Sequence, residues 1–266
     1  MLELNQTEQE IKAVGLVSKN SLINGDCLEV MKYIPDNSID MVMADPPYGI
    51  TACKWDSIIP LEPMWKHLKR VIKPNGAIVM TASQPFTTTL ISSNMEIFKY
   101  ELIWEKTKST GFLDCSYRPM RSHENILIFY EDKPTYNPQK LKGYPWVKGR
   151  TQKPNSCWGK QAEHYAKNES GERQPKSVML IPNFNNSSLH PTQKPVALMA
   201  YLIKTYTNEG DTVLDFCCGS GTTGIACKRW GRNFILIEKE QKYCDIARRR
   251  LGAEENLFSE AVNNDN

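Results

Sequence analysis

Val213-Leu214-Asp215-Phe216-Cys217-Cys218-Gly219-Ser220-Gly221-Thr222-Thr223-Gly224 decides how this chain folds. Asp211 to Phe216 has the length and apolar character of a buried strand, and Thr222 to Trp230 reads as a helix stopped by Gly231. A strand that passes through a glycine turn directly into a helix is the repeating unit of a parallel sheet. The pattern continues outward. Asn233 to Ile237 is a strand ending at Glu238, Gln241 to Leu251 a helix, and Pro195 to Tyr206 a preceding helix with proline near its start. The first half alternates in the same way. Ser21 to Asp26 and Ile39 to Ala44 read as strands, with a short helix from Leu28 to Ile34 between them. Pro63 to Lys73 and Phe86 to Met95 read as helices on either side of a strand from Gly76 to Ala82. Tyr100 to Trp104 and Asn125 to Tyr130 form a further strand pair. Such alternation predicts an α/β fold, a mostly parallel sheet with helices on both faces.

The composition narrows the class. The chain has 266 residues, 33 basic and 30 acidic side chains, a net charge of +3 and 40% hydrophobic residues. It is neither a uniformly basic tail nor an acidic disordered protein. Its apolar runs fall short of the ~18 residues of a membrane span, so no membrane association is expected. The polar, acidic opening from Met1 to Glu10 is unlike a secretory signal, and the eight cysteines lack the C-x-x-C spacing of a zinc or redox site. Reduced cysteines, a cytoplasmic location and no metal are expected. The charge is unevenly spread. Residues 133–176 carry ten basic and three acidic side chains, so the net is 10 − 3 = +7 there and 3 − 7 = −4 elsewhere. Aromatic residues, Tyr136, Tyr144, Trp146, Trp158 and Tyr165, are interleaved with that charge.

The glycine loop admits two ligands. Gly219, Gly221 and Gly224 match G-x-G-x-x-G, and Glu238 follows Gly219 by 19 positions, as in dinucleotide-binding turns. Asp215 favours a different ligand. A fixed carboxylate just before the glycines opposes a pyrophosphate, which needs bare amides and a helix N-terminus. It suits the ammonium and sulfonium of S-adenosyl-L-methionine. A nicotinamide-dependent oxidoreductase remains the alternative on the glycines alone.

Asp45-Pro46-Pro47-Tyr48 is the second chemical feature. The double proline cannot continue a ladder, so the strand ends there and the tetrapeptide falls at the carboxyl edge of the sheet. An exocyclic amine on a nucleobase is a poor nucleophile because its lone pair is delocalised into the ring. A carboxylate and a proline carbonyl, with no competing N–H, can accept its two hydrogens and hold the nitrogen for attack. A tyrosine beside them can stack on the base, worth ~1–3 kcal/mol.

The two motifs together resemble the S-adenosylmethionine-dependent DNA amino-methyltransferases. Their order, tetrapeptide first and cofactor loop last with the basic block between, resembles the permuted β group of that family. Asn24-Gly25-Asp26-Cys27 and His190-Pro191-Thr192-Gln193-Lys194-Pro195 extend the resemblance, which covers roughly residues 20–251. It implies a Rossmann-like, circularly permuted methyltransferase sheet with an inserted target-recognition region. The implied divisions are a leader, 1–20, a catalytic half, 21–132, a basic insert, 133–187, a cofactor half, 188–251, and a flexible tail, 252–266.

The resemblance also assigns roles. Asp45 and the Pro46 carbonyl would accept from the target amine, with Pro47 completing the rigid turn and Tyr48 stacking on the flipped base. Asp215, Phe216, Cys217, Gly219, Ser220, Gly221 and Thr222 would hold the methionine moiety, Glu238 the ribose, and Asp26 with the Cys27 amide the adenine of the cofactor. His190, Thr192, Lys194 and Pro195 would close over the methionine end. Apart from the resemblance, the position of Lys54 and Trp55 shortly after the tetrapeptide suits a lid over the flipped base. Lys140, Lys142, Trp146, Lys148, Arg150, Lys153 and Lys160 are the expected DNA contacts, where phosphate neutralisation gives affinity without sequence information. The expected reaction is direct methyl transfer to adenine N6 in double-stranded DNA. Asp as first residue of the tetrapeptide points to adenine, whereas Ser is commoner in cytosine-N4 enzymes. Cytosine N4 and a DNA-binding relative without activity are the alternatives. A homodimer is implied by the resemblance alone, which also leaves room for a cognate restriction endonuclease.

Overall fold

The computed structural model describes residues 6–7, 9–11, 15–51, 53, 56–150, 164–183 and 193–264. They divide into two compact units, Met1–Asn137 with Ser177–Asn266, and Pro138–Lys176.

In the larger unit, β1 (Gln6–Thr7) and β2 (Ser21–Asn24) precede α1 (Cys27–Val30) and a 3-10 turn, Met31–Tyr33. Asp26 caps α1 by accepting the Leu28 N–H at 3.0 Å. Then come β3 (Ile39–Ala44), α2 (Leu61–Val71), β4 (Ile72–Ala82), α3 (Phe86–Ser92), β5 (Phe98–Thr110) and β6 (Arg121–Phe129). The smaller unit contains an antiparallel hairpin of β7 (Trp146–Arg150) and β8 (His164–Asn168), and an isolated bridge between Leu141 and Arg173. The chain returns through β9 (Val178–Leu180), α4 (Val196–Tyr206), β10 (Thr212–Asp215), α5 (Thr222–Arg229), β11 (Asn233–Glu238) and α6 (Gln241–Asn264).

Among the described residues nine strands form one sheet in the order β1-β2-β11-β10-β3-β4-β6-β5-β9. From β1 to β4 neighbours are parallel, so the carboxyl ends of β2, β11, β10, β3 and β4 share one edge. β6 is antiparallel to both β4 and β5. β10 lies beside β3, with Val213 opposite Met41, so Asp45 and Asp215 follow adjacent strand ends although 170 positions separate them in the chain.

Alternation along the strands sorts side chains onto two cores. Ile23, Val42, Ala44, Ile78, Leu214 and Ile235 face one side, against Met64, Trp65 and Leu68 of α2 and Phe86 of α3. Leu22, Met41, Met43, Val79, Val213 and Leu236 face the other, against Leu198 and Leu202 of α4, Ile225 of α5 and Leu251 of α6. A buried sheet covered on both faces carries continuous apolar runs, as these strands do. No helix of the described residues is long and apolar enough to cross a membrane.

Three sequence expectations change. The tail, expected to be flexible from residue 252, continues α6 to Asn264, because its Ala, Glu and Leu residues are strong helix formers and its acidity contains no stop signal. The leader contributes β1 to the sheet edge. Within 133–187, residues Val178–Leu180 pair in parallel with β5 of the main sheet, a strand too short for its pattern to register in the sequence.

Candidate functional site

A cavity of about 890 Å³ opens along the shared carboxyl edge and is lined by both motifs. That volume lies in the usual range for small-molecule sites.

The tetrapeptide sits at its centre. Thr81 of β4 donates its hydroxyl to Asp45 Oδ1, and Tyr48 Oη lies 2.8 Å from the same oxygen. Lys194 Nζ lies 2.7 Å from Asp45 and 3.2 Å from Glu124 Oε2. Glu124 in turn pairs with Lys106. All four charged groups are largely buried, Lys194 most of all at 6% exposure. Burial alone would weaken the Lys194 ammonium, but Asp45 and Glu124 reverse this and hold its pKa above the ordinary lysine value. Burial likewise raises the Glu124 carboxyl, and Lys194 and Lys106 outweigh it, leaving the group below its ordinary value. Lys194 and Glu124 thus favour each other's charged forms inside the cavity. Tyr48 stacks on Phe86 with ring centroids 5.5 Å apart, and Lys194 Nζ stands 5.4 Å from its ring centre. Burial, then the charges of Asp45 and Glu124, hold its phenol in the neutral form.

The loop after the tetrapeptide is tied by a single carboxylate. Asp56 accepts from the N–H groups of Gly49 at 2.9 Å, Ile50 at 3.0 Å and Thr51 at 2.6 Å. Burial raises its carboxyl, but a bond from the Thr51 side chain and these three N–H bonds more than compensate, and the net shift is downward.

The second motif forms the other half of the cavity. Asp215 is buried, accepting from Thr223 Oγ1 at 2.5 Å and from the Cys217 N–H at 3.2 Å. Burial, with like charge from Asp45 and Glu238, pushes its carboxyl up to about 7. Glu238 accepts from the Gly219 N–H and the Glu240 N–H, each at 2.8 Å, and burial raises its carboxyl too. Asp26 caps α1 and accepts from Lys239 at 3.1 Å. Gly219 and Gly221 have positive φ, and a Cβ on Gly221 would stand 2.9 Å from Ala247 Cβ. At Gly224 a Cβ would stand 2.6 Å from Leu236 Cδ1, so that glycine lets α5 pack on β11. Arg250 of α6 donates to the Ser220 carbonyl at 2.6 Å and fixes the loop from below.

This acid set discriminates between ligands. Asp215 is raised first by burial and then by its acidic neighbours, so it calls for positive charge rather than a pyrophosphate. This set of carboxylate acceptors fits the ammonium and sulfonium of S-adenosylmethionine and disfavours the nicotinamide alternative. Asp26, Cys27, Asp215, Phe216, Cys217, Gly219, Ser220, Thr222, Glu238 and Lys194 line the same cavity as Asp45, Pro46, Pro47 and Tyr48. Pro195 is the N-cap of α4 and Gly221 that of α5. Lys194, expected over the methionine end, has its ammonium on Asp45 and Glu124 instead. His190, Thr192, Lys54 and Trp55 lie outside the described residues, as do Lys153 and Lys160. In the smaller unit, Lys140 pairs with Glu172 at 2.7 Å, Lys142 is exposed, Trp146 stands 5.9 Å from the Arg173 guanidinium, and Lys148 and Arg150 lie on β7. Sequence reasoning missed Thr81, Lys106, Glu124 and Asp56. Glu124 and Lys106 carry no motif, and only the antiparallel pairing of β5 with β6 brings them together.

Comparison with known proteins gives a consistent picture. The family profile N6_N4_Mtase, described as DNA methylase, matches residues 39–249. The type II methyltransferase M2.DpnII of Streptococcus pneumoniae is 30% identical over 262 residues, covering 89% of this chain and 91% of its own. The type II methyltransferase M.HinfI of Haemophilus influenzae is 29% identical over 263 residues, covering 87% of this chain and 68% of its own. Among solved structures, the M1.HpyAVI–SAM complex superposes with a TM-score of 0.59 at 26% identity, covering 86% of this chain and 98% of that one. The cytosine-N4-specific PvuII DNA methyltransferase superposes with a TM-score of 0.63 at 17% identity over 91% of this chain and 93% of that one, a likeness of fold.

Proposed function

This chain belongs to the N6/N4 DNA methylase family and is an S-adenosylmethionine-dependent DNA methyltransferase, and we propose that its target is the N6 amine of an adenine flipped out of duplex DNA. The observation that carries the proposal is Asp45 of an Asp-Pro-Pro-Tyr turn opening on the same cavity as Asp215 and Glu238. Asp at the first position supports adenine; cytosine N4 is the second reading. The tetrapeptide, basic segment and cofactor loop follow one another in the circularly permuted order of the β group, with 133–187 as target-recognition region.

Bound S-adenosylmethionine supplies a methyl group on a sulfonium, a leaving group that departs as a neutral thioether. The residues of the chain provide the rest. Asp215 answers the positive charge of the methionine end, Glu238 the ribose hydroxyls and Asp26 the adenine edge. Asp45 and the Pro46 carbonyl accept the two hydrogens of the target amine and orient its lone pair. As the N–C bond forms and the S–C bond breaks, positive charge grows on the nitrogen. Asp45 would offset that charge and accept the proton that the nitrogen sheds. Lys194, 2.7 Å from Asp45, holds that carboxylate in position, and Tyr48 supplies a face for the base. Catalysis on this reading is positioning and electrostatics, with no covalent intermediate. Extruding the base costs a few kcal/mol, which stacking and hydrogen bonds offset. The bacterial type II relatives support a restriction–modification setting; a cytoplasmic location, a homodimer and a cognate endonuclease are part of the proposal and remain to be sought.

The test is transfer of labelled methyl from S-adenosylmethionine to unmethylated duplex DNA, followed by nucleoside analysis and mapping of the modified sites. N6-methyladenine is expected, and none with Asp45→Ala. Label in N4-methylcytosine moves the assignment to the second reading.

A further inference from the structure

The hairpin of β5 and β6 does more than complete the sheet. β6 pairs with β4 only from Asn125 to Phe129, ending at the Ala82–Asn125 pair, whereas its pairing with β5 continues to Thr110 opposite Arg121. β5 runs parallel to β4, so the hairpin passes the carboxyl edge on the side where Asp45 and Asp215 lie. At ~3.3 Å per residue the four further positions of β6 extend roughly 13 Å beyond the last β4 pair. Its strands line the cavity as far as Lys108, Thr110 and Arg121, just short of the tip. Its tip is a 3-10 turn, Phe112–Asp114, presenting apolar side chains to solvent: Phe112 is 72% exposed, Leu113 93% and Tyr117 73%. Three large apolar groups left bare on one projection mark an interaction surface.

The cavity and the charge identify the occupant. Lys108 and Arg121 flank the tip on its two strands and are exposed, while Arg118 faces Asp114 within the turn. The partner must offer anionic groups at the rim and flat apolar faces between them, next to a pocket that accepts one base. A DNA duplex at its target pair has that chemistry. We infer that the β5–β6 tip is an apolar wedge, with Phe112 and Leu113 entering the base stack where the target nucleotide leaves and Lys108 and Arg121 on the adjacent phosphates. Proteins that kink or unstack DNA use Phe and Leu in this way. The inference rests on the cavity being the pocket for a flipped base. It adds a DNA contact on the catalytic half, separate from the basic segment 133–176.

The test compares the full-length protein with Phe112→Ala/Leu113→Ala on two labelled duplexes bearing the mapped target site. One is fully paired; the other has an abasic position opposite the target base, so the base is already unpaired. The double variant should bind the paired duplex at least tenfold more weakly and the abasic duplex within threefold of the parent. Unchanged thermal stability and S-adenosylmethionine affinity are expected, since both side chains are solvent-exposed. Equal affinity of parent and variant for the paired duplex overturns the inference, as does an equal loss on both duplexes. Conversion of a dimer to a monomer in light scattering, with the DNA effect following from it, assigns the surface to a second copy instead. If the parent methylates no DNA, the proposed function fails and the wedge falls with it.

Discussion

Asp45 and Asp215 stand at adjacent strand ends in opposite electrostatic surroundings. Asp45 faces the Lys194 ammonium at 2.7 Å, whereas buried Asp215 has acids for charged neighbours and is pushed up to about 7. A carboxyl raised from 3.8 binds more protons folded than unfolded. Its contribution to the stability of the ligand-free protein is therefore fully present below about 4 and is lost as pH rises towards 7. Cation binding has the opposite sign, because the ligand needs the ionised form. Affinity for S-adenosylmethionine should fall roughly tenfold from pH 8 to pH 6, and calorimetry of parent and Asp215→Asn should show the dependence only in the parent. Lys194 separates two roles. If its ammonium serves Asp45, Lys194→Met should lower kcat by ~100-fold while leaving the Kd for S-adenosylmethionine within about threefold. A closing role over the methionine end would raise that Kd instead. Breaking a buried ion pair also destabilises by ~3–5 kcal/mol, so thermal unfolding of Lys194→Met and Lys194→Arg belongs with the kinetics. The tetrapeptide and the acid of the cofactor loop were legible as residues. Their charged partners were not, since Lys106 and Glu124 are ordinary surface residue types until two strands pair.

At the scale of elements, the glycine loop between β10 and α5 was readable because its backbone demands glycine. Gly221 combines a φ of +77° with a Cβ position 2.9 Å from Ala247, so Gly221→Ala should destabilise by ~1–3 kcal/mol. The lower Tm should be accompanied by weaker S-adenosylmethionine binding, because the same turn places the Gly219 N–H on Glu238. Asp56→Ala removes one acceptor from three consecutive amides, 49–51, and should raise the protease sensitivity of that loop and lower kcat while α/β stability changes little. Strands β2, β3, β4, β10 and β11 were visible as apolar runs. β9 was missed because three residues carry no usable period. The extension of α6 was missed because acidity reads as solvation although Ala, Glu and Leu favour helix.

At the scale of the molecule, the net charge of +3 conceals a division into +7 over residues 133–176 and −4 elsewhere. The acidic remainder includes the cavity carboxylates that suit a cationic cofactor, and the basic segment suits phosphates. Alanine at Lys140, Lys142 and Lys148 together should weaken DNA binding and reduce the slope of log affinity against log salt by up to ~0.9 per lost phosphate contact. An unchanged slope would remove that segment from the DNA surface. Lys140 already pairs with Glu172, so its share should be the smallest. The sequence by itself determined the parallel architecture, through continuous apolar runs of strand length alternating with helical patterns and joined by glycine and proline stops, and the chemistry of the two motifs, because amine acceptors and a cation-seeking acid are properties of residue types. Only the tertiary structure decided that β10 lies beside β3, that Lys194 meets Asp45 across 149 positions, and that the β5–β6 hairpin overruns the sheet to bare Phe112 and Leu113. Those contacts depend on long-range strand pairing, and local periodicity contains no information about which strands become neighbours.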